Sequence, residues 1–431
     1  MYLSLMMERL SDWGRRLWQQ VVLRSGVVTI VVVVLAVLGL AIGWHAHVRG
    51  RFAQFKAEFK KSDAPHTPAA PQPGGQDALV LERSPIENGT APEFLSATLL
   101  PGRGMNVFQI TALVPKKGRV KLLASPPLDE ATRRMNGSGD DVHGQVSLAM
   151  GGAIEAPWAG TIFGTGSEDQ LTTQWRGKSL RIPAERRDGT AAATGGLLLA
   201  KAGTSAKTNV MPDGGEAEAV YDEGDFGGAW PSRMRVKSTV QLSSRAIEMT
   251  VVAANTGDEP QPVGLGWRPR FAILSSHRGE MTLRLPSLMR EEVERGTGVP
   301  TGRLIPVDGT AYDFSPRTGA PLKDLSLNDT FVHLRQAPLD SGPVMELLDP
   351  EDNFGLRMTM LSPSIKAMHV EAPADGNFVM IEPRFNFDDP FGREWSKEEN
   401  TGMIVIGPGQ TAQWKIRLEI YAPKPMANTH P

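Results

Sequence analysis

Hydrophobic positions along the chain fall into two regimes. Between Val27 and Trp44 they form one run, VVTIVVVVLAVLGLAIGW, 18 residues without a charge. A run of that length predicts a helix able to span a hydrocarbon core, with Trp44 at the depth of an interfacial aromatic. From Ala97 onward the apolar runs are short, and several alternate with period two. In RMRVKSTVQLS, Arg235, Lys237, Thr239 and Gln241 alternate with Val236, Ser238, Val240 and Leu242. Period two places successive side chains on opposite faces of a strand. NVFQITALV, AIEMTVVAANT, FVMIEPRF and AQWKIRLEIYA also read as strands, and Gly, Pro, Asp and Asn punctuate the gaps. The pattern predicts an all-β domain, a large antiparallel β-sandwich, behind an N-terminal transmembrane helix. The expected order is a tail (1–26), the transmembrane helix (27–44), a basic stretch with a Pro/Ala/Gly linker (45–80) and the β domain (81–424).

Charge and composition narrow the chemistry. Lys+Arg 46 against Asp+Glu 48 leaves a formal net charge of -2, no footprint for nucleic acid. Zero cysteines exclude disulfides, thiolate catalysis and cysteine-ligated metals. DPEDNFG (349–355) lacks the acid spacing and distal glutamate of a calcium loop and reads as a turn. No metal and no cofactor is expected. Basic residues flank the apolar run on both sides, Arg9, Arg15, Arg16 and Arg24 before it and Arg49, Arg51, Lys56, Lys60 and Lys61 after it. Local charge therefore does not orient it. A signal anchor carrying a large C-terminal domain implies a single pass through the inner membrane with the domain in the periplasm. A cleaved signal peptide is the competing reading; the run exceeds a typical h-region and no small-x-small site follows closely. The basic stretch either lies on anionic headgroups or continues as a solvated helix.

Several segments of the β region recur in a recognisable order. They are GRGMNVFQITALVPKKGRVKLLAS, GGAIEAPWAGTI (151–162), VVAANTGDEPQPVGLGWRPRF (251–271), PTGRLIPVDGTAYDFSPRTG with LNDTF (327–331), FVMIEPRFNFDDPF (378–391) and NTGMIVIGPGQTAQWKIRLEIY (400–421). In this order, from about Ala97 to Tyr421, they resemble the aldose 1-epimerase (galactose mutarotase-like) family. The resemblance implies that family's β supersandwich and a sugar ligand. Mutarotation opens a pyranose and recloses it on the other face, which needs a base at the anomeric hydroxyl and an acid at the ring oxygen.

Read on its own, Glu382 is a lone acid in an apolar strand, so it is either buried with a partner or at a cleft mouth. The resemblance makes it the catalytic base. At the other family positions the residue type has changed. Arg268 stands where the family has its acid histidine (Gly266-Trp267-Arg268-Pro269-Arg270-Phe271), and a guanidinium that keeps its proton cannot be a general acid. Arg268 could bind sugar hydroxyls or pair with Glu382 and lower its pKa. Thr161 replaces a substrate arginine, Thr194 aligns with a histidine, and Asn328, beside Asp329, replaces an aspartate. Trp158 and Trp267, with Trp230 and Trp395, are candidate stacking platforms or core fillers. Arg270 and Arg384 are candidate substrate ligands. The loop with Asp388, Asp389, Arg393 and Trp395 is expected at the cleft rim. His143 is the best substitute histidine; His277, His333 and His369 read as satisfied structural histidines.

Three functions fit this reading. The first is a membrane-anchored carbohydrate-binding relative with weak or lost mutarotase activity. The second is an active epimerase on an unusual sugar with Glu382 as base. The third is a structural subunit that docks an envelope protein partner.

Overall fold

The computed structural model describes residues 33–41, 44 and 70–423, except 88, 168 and 188. The chain divides into two compact units, Met1–Ala70 and Pro71–Pro431. In the first, residues 33–41 and Trp44 are helical. The rest of the expected span Val27–Trp44, the tail and the basic stretch through residue 69 lie outside the described residues. Among the described residues no helix is long and apolar enough to cross a membrane.

The second unit begins about ten residues before the expected Leu81. Pro73–Gly75 form a 3-10 turn with Pro73 buried. Gln76 donates to Gly203 O at 2.8 Å and accepts from Gly203 N at 3.1 Å. Gly74 is required where it sits, since a Cβ there would come 1.9 Å from Gly102 O. The Pro/Gly composition that suggested a linker therefore serves a close backbone crossing instead.

Two large antiparallel sheets form the body, as the period-two patterns predict. One has eleven strands in the order Leu79–Glu82, Glu93–Leu100, Asn106–Val114, Gly152–Glu155, Gly266–Ala272, Phe378–Arg384, Ala367–Ala372, Leu327–Val332, Met289–Val293, Pro300–Pro306, with Gly118–Lys121 paired beside Asn106–Val114. The other has nine, centred on Met234–Leu242, Ala246–Asn255, Thr411–Tyr421 and Phe354–Met360. Along Met234–Leu242 burial alternates, with Val236, Ser238, Val240 and Leu242 inward. A five-stranded sheet holds Thr161–Gly166 and Thr190–Thr194. DPEDNFG is a turn between Val344–Asp349 and Phe354–Met360. Among the described residues the second unit has one α-helix, Leu128–Arg134, with acids in its first turn and arginines in its last.

One hydrophobic cluster joins the two large sheets. Val236, Met249, Val251, Trp414 and Ile416 come from one and Val107, Phe271, Phe331, Met368 and Ile381 from the other. Trp414 has no exposed surface, and its Nε1 donates to Pro383 O at 3.1 Å, one residue from Glu382. Trp414→Ala would remove the largest side chain at this junction and orphan that carbonyl. It should cost about 3–5 kcal/mol of stability, read as a lower denaturant midpoint. A loss under about 1 kcal/mol would show that Trp414 is not a keystone of the core.

Candidate functional site

Four adjacent strands of the eleven-stranded sheet supply the site. Thr330 pairs with His369, and His369 with Glu382. Gly266↔Arg384 and Arg270↔Met380 bracket Arg268 opposite Glu382. Residues level across an antiparallel pair share a face, so Thr330, His369, Glu382 and Arg268 form one polar row. Their sequence neighbours Phe331, Met368, Ile381 and Trp267 point into the core. A second row reads Asn328, Glu371, Met380, Arg270, and a third Val332, Ala367, Arg384, Gly266, Glu155. Gly266 has to be glycine: a Cβ would lie 2.7 Å from Ala159 Cβ and 3.1 Å from Arg384 Cβ. Its missing side chain lets Glu155 and Arg384 approach over it.

Glu382 has no exposed surface. Its Oε2 accepts from Arg268 Nη1 at 2.7 Å and its Oε1 from Arg384 Nη1 at 3.2 Å. Arg268 Nη2 donates onward to Glu371 at 3.1 Å. Arg384 Nη2 donates to Asp388 Oδ2 at 2.6 Å and Thr330 Oγ1 at 2.8 Å. Thr330 Oγ1 also contacts Asp388 Oδ2 at 2.7 Å and His369 Nδ1 at 2.9 Å. Asp388 Oδ1 accepts from the Thr161 amide at 3.0 Å, and Thr161 and Thr194 hydroxyls are 3.0 Å apart.

Burial alone would raise the Glu382 carboxyl, but Arg384 and then Arg268 outweigh it and hold it below its ordinary value. Asp388 is likewise held down by Arg384 against the opposing effect of burial. Glu155, also fully buried, is raised well above the ordinary value, by burial first and then by Glu382. Glu291 is raised by burial and then by Asp388. His369 is lowered by burial and then by Arg384. Burial, followed by Glu394, pushes Asp389 up to about 8.

A cavity of about 660 Å³ opens over this face. Of the residues singled out in the sequence, Arg268, Arg270, Arg384, Thr161, Thr194, Asn328 and Asp329 line it. Glu382 does not; it lies beneath the two arginines. Trp158 and Trp267 do not line it either, and both have no exposed surface. Trp267 is one residue from Arg268 and so faces the opposite side of the strand, where Nε1 donates to Gly152 O at 3.1 Å. Trp158 stacks on Trp230 at 5.4 Å and donates to Ala193 O at 3.2 Å. These indoles are core, not sugar platforms.

Of the expected rim loop, Asp388 lines the cavity, while Asp389 is buried and Trp395 packs on Phe387 at 5.5 Å. His143 is not among the lining residues, and His369, expected to be merely structural, is. Thr330, Glu291 and the buried Glu155 went unnoticed in the sequence. The available signal was parity: His369 shares its strand face with Glu371, and Thr330 shares its face with Asn328.

A sequence model of the aldose 1-epimerase family matches residues 204–419, half of the chain, and the chain belongs to that family. No curated protein matches it. Among solved structures, a galactose mutarotase-like protein from Clostridium acetobutylicum shares the fold with TM-score 0.62 at 16% identity, covering 79% of this chain and 98% of its own. A putative aldose 1-epimerase from Escherichia coli K12 gives 0.55 at 16% identity over 75% and 95% of the two chains. The galactose 1-epimerase from Lactobacillus acidophilus NCFM gives 0.54 at 13% identity over 80% and 98%.

The raised Asp389 makes a stability prediction. A carboxyl whose folded pKa is raised stabilises the fold fully below its unfolded value, near 3.8, and that stability is lost as pH rises through about 8. Asp389→Asn keeps an oxygen for the Phe163 amide, now 3.0 Å from Asp389 Oδ1. The variant should therefore lose less Tm than the parent between about pH 5 and about pH 9. Parallel Tm curves for the two proteins would contradict the protonated, buried carboxyl.

Proposed function

We propose that the β domain binds a sugar in the 660 Å³ cavity, and that mutarotase chemistry through Glu382 and position 268 is weak or lost. One observation carries this: both carboxylate oxygens of Glu382 are held by arginines, at 2.7 and 3.2 Å. A base engaged on both oxygens and held below its ordinary pKa has little drive to take a proton near neutral pH. Its family partner, the acid, is here a guanidinium that does not give up its proton. The polar groups left facing the cavity, Arg268, Arg270, Asn328, Thr161 and Thr194, suit hydroxyl recognition. Fresh α-glucose or α-galactose followed by polarimetry should relax within about twofold of the buffer rate. Strong acceleration that Glu382→Gln abolishes would refute the reading.

A second reading, an active epimerase on an acidic sugar, draws support from Arg270. It lines the cavity, yet reaches Glu371 only at 3.7 Å, and that carboxylate already serves Arg268 at 3.1 Å. A carboxylate or phosphate on the sugar would complete its pairing.

The apolar run Val27–Trp44 supports a single-pass anchor with the domain outside the cytoplasm. The full-length chain should stay in the membrane pellet after an alkaline carbonate wash; its release into the supernatant would remove the anchor.

A further inference from the structure

Glu382 is sealed, but other titratable groups line the cavity, among them Asp329, Asp388, His369 and Glu291, and two of these lie on one row of the sheet. The first is His369, level with Glu382 on the neighbouring strand and lining the cavity. Its hydrogen bonds define its tautomer. Thr330 Oγ1 has one proton, and the best acceptor within reach is the Asp388 carboxylate at 2.7 Å. Arg384 Nη2 donates to the same hydroxyl oxygen at 2.8 Å. With the hydroxyl proton directed to Asp388, the 2.9 Å contact to His369 requires Nδ1–H to be the donor. Nε2 then carries the lone pair, and it has no hydrogen-bond partner among the described residues. Asp388, Thr330 and Arg384 thus orient a neutral imidazole, the task that a buried acid performs for a catalytic histidine elsewhere. The downward shift of His369 by burial and Arg384 keeps the ring neutral.

The second group is Glu291. The pairs Met289↔Val332 and Arg290↔Phe331 bring it level with Thr330, on the strand beyond His369's neighbour. It lines the cavity with 1% of its surface exposed, and among the described residues its oxygens accept from the Asp388 amide, at 3.3 Å. Two interstrand spacings, roughly 10 Å between backbones, separate it from His369, with Thr330 and Asp388 between the two side chains and both residues lining the same cavity. Burial and then the Asp388 carboxylate raise the Glu291 carboxyl well above its ordinary value, a shift toward the protonated form.

We propose that the acid–base pair of this site has moved along the sheet, with His369 Nε2 as the base and the Glu291 carboxyl as the acid in anomer interconversion of an acidic aldose. The proposal rests on reading the cavity as a sugar site. His369 Nε2 takes the proton of the anomeric hydroxyl. The C1–O5 bond breaks as O1 becomes a carbonyl, and Glu291 delivers its proton to O5. Reclosure on the other face returns both protons, so nothing is consumed. Arg270, stacked over the Phe378 ring at 3.6 Å and reaching Glu371 only at 3.7 Å, pairs with the sugar carboxylate.

The test is NMR exchange spectroscopy of D-glucuronate anomers with the full-length protein. The parent should accelerate exchange about 10²-fold over buffer. His369→Gln and Glu291→Gln should each remove at least nine-tenths of the acceleration. Added imidazole should restore part of the rate to His369→Ala, which a merely structural histidine would not allow. Thr330→Val, which frees the tautomer, should lower the rate and change its pH profile. No acceleration of glucuronate by the parent overturns the proposal, while sugar binding in the same samples, seen as saturation transfer, leaves the cavity reading standing. Acceleration lost in Glu382→Gln and kept in His369→Gln overturns both this proposal and the reading of Glu382 as sealed.

Discussion

A carboxylate with no exposed surface must be compensated where it lies, because transfer out of water costs far more than any single hydrogen bond returns. Glu382 meets that condition through Arg268 and Arg384, and much of the surrounding structure follows from it. Arg384 is itself buried and needs Asp388 and Thr330. Asp388 in turn needs the Thr161 amide, which draws the five-stranded sheet against the site. Gly266 must lack a side chain for Arg384 to lie as it does. Glu155, close to the same carboxylate, is raised well above its ordinary value.

This network lies on one face of strands whose other face builds the family's fold. The core face of each site strand carries Trp267, Phe331, Met368 and Ile381, and these do not depend on what the other face holds. Period two separates the two jobs. The sandwich is intact with an arginine at position 268. Arg268 and Glu382 form an ion pair, and His369, Glu291, Asp329 and Asp388 are among the titratable groups that line the cavity.

Much of the fold was legible in advance. Alternation in Met234–Leu242 assigns Val236, Val240 and Leu242 to the core, and they are buried. The short apolar runs between turn residues are strands of two large antiparallel sheets. Pairing of Arg268 with Glu382 was foreseeable as well, because a lone acid in an apolar strand needs a cation. The domain start was misplaced because Pro and Gly in 73–75 look the same in a flexible linker as in a tight crossing. Trp158 and Trp267 stayed open between two roles because indole serves core and sugar platform equally well, and the choice depends on which face of the strand looks inward.

The sequence by itself determined the local facts: which segments are strands, which side chains alternate, that Glu382 lies among apolar neighbours, and that residue 268 cannot donate a proton. Those depend on residue type and on a spacing of two. Tertiary structure alone decided that Glu291, Thr330, His369, Glu382 and Arg268 form one row, because strands far apart in the chain must be paired in register before their side chains can meet. It also decided that Glu382 lies under the arginines rather than on the cavity surface. Burial belongs to the assembled sheets, and a single strand has no inside.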